Sequence, residues 1–73
     1  MVYNNDTVPI LKQIKKVMID KDITQQVLSD RLGKSKQAVS NLFRQDNISL
    51  NTLNDLVNAC DCDLIIDIVP KVK

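Results

Sequence analysis

Gln37 and Asn41 stand four residues apart in the segment KQAVSNLFR and carry the same group, a carboxamide with one acceptor oxygen and a donor NH2. That group matches the N7 acceptor and N6 donor on the major-groove edge of adenine, so Gln37 is the leading candidate for reading a base and Asn41 is capable of the same chemistry. Lys36 is suited to guanine O6 and N7 or to a phosphate, and Ser40 to either a base or the backbone. Lys34 and Arg44 flank the row with positive charge suited to phosphate. The residues of catalysis are missing. There is no histidine, all nine acidic residues are Asp, and a single glycine rules out a glycine-rich phosphate loop. No enzyme activity is expected. Cys60 and Cys62 are two thiols one residue apart, which cannot complete a tetrahedral zinc site, so they are expected to be reduced and to pack, and neither a metal nor another cofactor is expected.

The elements that must present this row are legible around it, in TQQVLSDRLGKSKQAVSNL. Thr24 is placed to cap a helix in which Leu28 and Leu32 share one face. Gly33 ends that helix, because glycine enters the left-handed region without steric cost. Ser35 caps a second helix whose Val39 and Leu42 face inward at a spacing of three, leaving Lys36, Gln37, Ser40, Asn41 and Arg44 outside. Two short helices joined by a tight turn form a helix-turn-helix, whose second helix enters the major groove of DNA.

With those residues in place, the segment resembles the phage-repressor/Cro-like (XRE) helix-turn-helix proteins, whose pattern runs roughly TQ-x-x-LA-x-x-LG-V-S-x-x-x-VS. Thr24, Gln25, Leu28, Leu32, Gly33, Ser35, Val39 and Ser40 match it, and the resemblance extends over about residues 10–64. Ser29 replaces the usual alanine where close helix approach needs a small residue. Lys34 stands where an apolar residue is usual, Phe43 where Glu is more frequent, and the loop after Phe43 is shorter than usual. The resemblance implies a sequence-specific regulator of transcription that binds double-stranded DNA, with Lys36, Gln37 and Asn41 at base-reading positions. It also implies that Gln25 contacts a phosphate, where helix N-terminal N–H groups favour an anion.

Net charge is only +1, but it is unevenly spread: residues 1–44 carry eight basic and four acidic side chains, and residues 45–73 carry two and five. Four positive charges and no negative one lie between Arg31 and Arg44, and such a local basic face is what phosphate contact requires. The 73 residues, 44% of them hydrophobic, predict a single folded domain over 1–73 with a helix-turn-helix at about 24–43. No apolar run approaches the ~18 residues of a membrane span, and MVYNNDTVP lacks the basic-then-apolar layout of a signal peptide, so a cytoplasmic protein is expected.

The remaining chain supplies scaffold. Ile10 or Leu11, with Ile14, Val17 and Met18, recurs at helical spacing and predicts a first helix over about 8–21, with Pro9 in its first turn. Asp22 and Asp61 occupy positions where a left-handed residue is expected after a helix. Ile23 should staple onto Leu28, and Ser49 should cap a fourth helix carrying Leu50, Leu53, Leu56, Val57 and Cys60. The tail LIIDIV, residues 64–69, is β-branched and stopped by Pro70, which predicts a strand. A lone strand needs a ladder partner: Met1–Tyr3 of the same chain, or preferably a second copy of 64–69 across a two-fold axis. The expected fold is therefore mainly α, a four-helix repressor-like helix-turn-helix domain with one C-terminal β-strand paired across a dimer. Leu64, Ile65, Ile66, Ile68 and Val69 would form the homodimer interface. The alternative is a protein-interaction module on the same fold, an antitoxin or an inhibitor of a phage or host protein, using the acidic second half and Phe43 toward a toxin or other protein partner.

Overall fold

Three hydroxyls open three of the helices, as the sequence predicts. The computed structural model of the chain describes residues 2–72. It contains α1 (Val8–Asp20), α2 (Gln25–Leu32), α3 (Lys36–Arg44) and α4 (Leu50–Ala59). Thr24 accepts from the Val27 N–H at 3.2 Å, Ser35 from Ala38 at 3.1 Å and Ser49 from Thr52 at 3.1 Å, each satisfying one orphan donor of a first turn. The start of α1 is built differently. Asp6 Oδ1 accepts from the Val8 N–H at 3.0 Å, Pro9 fills the first turn, and Thr7 looks across the molecule instead. Its backbone N–H and its hydroxyl both donate to the Asp46 carbonyl, at 2.8 and 3.1 Å, and the hydroxyl accepts from the Ile48 N–H at 3.1 Å. This buried threonine pins the α3–α4 loop to the head of α1.

The ends of α1, α2 and α4 share one design. Asp22, Gly33 and Asp61 all have positive φ, at 55°, 67° and 59°. In each case the left-handed residue and its successor donate back into the last turn, in the paired-bond Schellman pattern. Gly33 and Lys34 donate to the carbonyls of Asp30 and Ser29, Asp22 and Ile23 to Ile19 and Met18, Asp61 and Cys62 to Asn58 and Val57. The chain thus reverses sharply after each helix, and the hydrophobic residue that follows, Ile23, drops into the core beside Met18.

One cluster forms that core: Leu11, Ile14 and Met18 from α1, Ile23, Leu28 from α2, Val39 from α3, and Leu53, Leu56, Val57 and Cys60 at α4. Leu11 takes the inward position and Ile10 packs at its edge. Leu50 departs from expectation, since it begins α4 on the solvent side at 60% exposure. Both cysteines are free, with Cys60 buried and Cys62 half-buried. Burial pushes the Cys60 thiol above its ordinary value, and the neighbouring Cys62 adds to the rise.

The expected C-terminal strand is absent among the described residues: 62–72 form no regular secondary structure. β-Branched composition favours an extended chain, but a strand exists only through its ladder, and the described residues supply no partner. Met1 lies outside the described residues, and Tyr3 directs its hydroxyl to Asn47 Oδ1 at 3.5 Å. Leu64 packs half-buried against its own core, while Ile65, Ile66, Ile68 and Val69 are 87%, 62%, 91% and 75% exposed. The tail lengthens the molecule to 46 Å against 22 and 18 Å. Its radius of gyration, 13.1 Å, exceeds the ~11 Å of a compact chain of this length.

Candidate nucleic-acid interface

Ser29 of α2 is buried in the interior, at the position where the helix-turn-helix pattern calls for a small residue. Its hydroxyl donates to the Gln26 carbonyl at 2.8 Å, so the buried polar group is paired within its own helix. Leu28 and Val39, both fully buried, fix the inner faces of α2 and α3. Taking α3 at 100° per residue, Lys36, Ser40, Arg44, Gln37 and Asn41 fall within an arc of about 140°, and Ala38, Leu42, Val39 and Phe43 fill the opposite arc. Lys36, Gln37, Asn41 and Arg44 are exposed and Ser40 is half-exposed, so the chemistry-bearing row forms a single outer face of α3.

Two hydrogen bonds order this face. Gln37 Nε2 donates to Asn41 Oδ1 at 3.4 Å, so the two carboxamides lie edge to edge along one helix turn. Ser40 Oγ donates to Gln25 Oε1 at 3.3 Å, which ties the first residue of α2 to the middle of α3. Gln25 therefore belongs to the same surface, beside the free N–H groups that open α2. Lys34, exposed in the turn, adds a charge at the N-terminal end of α3, and Arg44 adds one at its C-terminal end.

Arg31 does not join them. Its guanidinium turns away to α4, donating to the Ala59 carbonyl at 2.7 Å and to Asp61 Oδ2 at 3.2 Å. Lys21 acts alongside it, its Nζ donating to the carbonyls of Cys60 and Asp61 at 3.1 and 3.2 Å. These cations satisfy the end of a helix that has no basic residue in its own last turn, where its dipole is negative. Phe43 is likewise engaged: it packs at the edge of the core, with Lys15 Nζ 5.4 Å above its ring.

A family model described as "Helix-turn-helix" matches residues 14–66, which contain α2, the turn, α3 and α4 entire. The chain belongs to the helix-turn-helix family. No curated protein and no solved structure matches it. As a helix-turn-helix protein of the XRE type it is a DNA-binding regulator of transcription, and among its described residues no helix is long and apolar enough to cross a membrane. The helix-turn-helix face carries every base-type candidate read from the sequence. Missing from that reading were the bonds of Thr7, Lys21 and Arg31. Each spans 28 to 41 residues, a separation at which neither capping rules nor periodicity gives a signal.

Proposed function

We propose that the protein is a transcriptional repressor that binds a palindromic operator as a homodimer, one α3 entering the major groove of each half-site. The observation that carries this reading is the single outward face of α3, with Lys36, Gln37, Ser40 and Asn41 side by side and the carboxamides already ordered. In it Gln37 and Asn41 pair with adenine, Lys36 with guanine or a phosphate, and Ser40 with base or backbone. Gln25, Lys34 and Arg44 take phosphates on either side and set the register. Ile65, Ile66, Ile68 and Val69, solvated in one copy, find their partner in the tail of a second, with Leu64 anchoring the base of the segment to its own core. Two-fold pairing would bring two α3 helices about 34 Å apart, one turn of B-DNA. The chain acts as one domain in the cytoplasm. A protein partner is the second reading; the exposed tail aliphatics favour it, whereas Phe43, packed on the core, does not.

Fluorescence anisotropy on a preferred duplex tests the docking. Gln37→Ala should cost ~1–3 kcal/mol there and relax the preference at one base pair. Lys34→Ala should weaken all duplexes alike and make the salt slope shallower by about one unit. Unchanged affinity and preference in Gln37→Ala would exclude this placement of α3.

A further inference from the structure

Lys12, Lys15 and Lys16 have no role in the site described so far, and helical phase puts them together. With Leu11 set at 0°, Ile14, Met18, Val17 and Ile10 lie on the inward side of α1, between about 240° and 340°. Lys15, Ile19, Lys12 and Lys16 follow one another from about 40° to 140°, on one flank. The other flank, with Gln13, Ile10 and Val17, runs beside the root of the tail at Cys62–Ile65. On the other side of the helix Lys15 and Ile19 border α2 and α3, and Lys12 and Lys16 follow further round, exposed on the outward side of α1. Lys15 and Ile19 line a shallow depression of ≈ 220 Å³ together with Gln25 and Phe43. Lys15 Nζ is held over the Phe43 ring. Ile19, in the middle of the flank, is 75% exposed. Among the described residues the one ion pair is Arg31–Asp61, so none of the three lysines is in direct contact with a carboxylate.

We infer that this flank of α1 is a second phosphate-binding surface, which follows the DNA backbone outward from Gln25 and lengthens the footprint of each half-site. The inference rests on the docking of α3 proposed above. Gln25 and Ser40 are bonded to each other, so the depression that joins Gln25 to Lys15 continues the surface of α3 without a break. The Phe43 ring holds the Lys15 ammonium at that surface and leaves its donors free, because a π face attracts the charge without taking a hydrogen bond. The exposed Ile19 lies between the cations and suits the apolar face of a deoxyribose. The flank also contributes to the uneven charge, since these three lysines are three of the eight basic residues in the first 44. Non-specific phosphate contact carries no base information, so the surface adds affinity and leaves the choice of sequence to α3.

The test is the salt dependence of binding by the full chain, on an enriched duplex and on a random one. The triple variant Lys12→Gln, Lys15→Gln, Lys16→Gln should make the slope of log K against log salt shallower by roughly two to three units. It should weaken both duplexes by the same factor, leave the base preference in place and lower the melting temperature only slightly, through loss of the Lys15–Phe43 contact. Lys15→Arg should keep the wild-type slope. Phosphate-ethylation interference should lose protected positions at the outer edges of the footprint in the triple variant. An unchanged slope and footprint, with Gln37→Ala still losing its base preference, would overturn the lysine surface and leave the docking of α3 standing. An intact chain with no salt-dependent affinity for any duplex would overturn both.

Discussion

Asp22 and Asp61 hold a left-handed backbone that costs an L-residue about 1 kcal/mol or more, and they differ in what their carboxylates do. The carboxylate of Asp61 accepts from Arg31 in a partly exposed pair. Asp22→Gly should therefore stabilise the fold by up to ~1 kcal/mol, seen as a rise in Tm. Asp61→Gly should gain less, because it also gives up a pair worth ~0–1 kcal/mol. A larger gain from Asp61→Gly than from Asp22→Gly would show that the Arg31 contact contributes nothing. Both left-handed positions were legible in the sequence, as were the caps at Thr24, Ser35 and Ser49, because each is decided by residues within one helical turn. Arg31 was misjudged for the converse reason. As one of an uninterrupted run of positive charges it belonged with the basic face, but the carbonyls at the end of α4 compete for it, and only the tertiary fold brings them near.

Helices α2 and α3 are set against each other and against α1 and α4 through one shared core, and Thr7 ties the loop that follows α3 to the head of α1. The inward residues of α1, α2 and α4 follow the 3.6-residue period, so the four helices and most of the core could be read from spacing. Leu50 escaped that reading because a first-turn residue has no preceding turn to pack on, and apolar character alone does not turn it inward. Thr7 escaped it because threonine before a helix suggests a cap, whereas its hydroxyl serves a loop 39 to 41 residues away. Thr7→Val should keep the shape and remove the acceptor of the Ile48 N–H, leaving a donor unpaired in a part-buried contact. The expected cost is ~1–3 kcal/mol, read from the midpoint of chemical denaturation. A midpoint within error of the wild type would mean that water replaces the hydroxyl and that the loop is held by the backbone bond from Thr7 alone.

At the scale of the whole molecule, the tail is the segment that its own fold leaves largely uncovered. The sequence pattern at 64–69 specifies an extended, apolar segment, and the fold leaves most of it solvated, with no ladder partner among the described residues. Ile66→Pro removes a ladder donor from the middle of that segment and leaves the helices untouched. By sedimentation at tens of micromolar, the intact chain should be dimeric and the variant monomeric; a monomeric intact chain would move the interface elsewhere. The most direct test of the account is the selection of bound duplexes from a random pool by the intact chain. The account predicts an inverted repeat with half-site centres about one helical turn apart, and adenine or guanine at the positions facing α3. Enrichment of no sequence at all, or of one without two-fold symmetry, would contradict it.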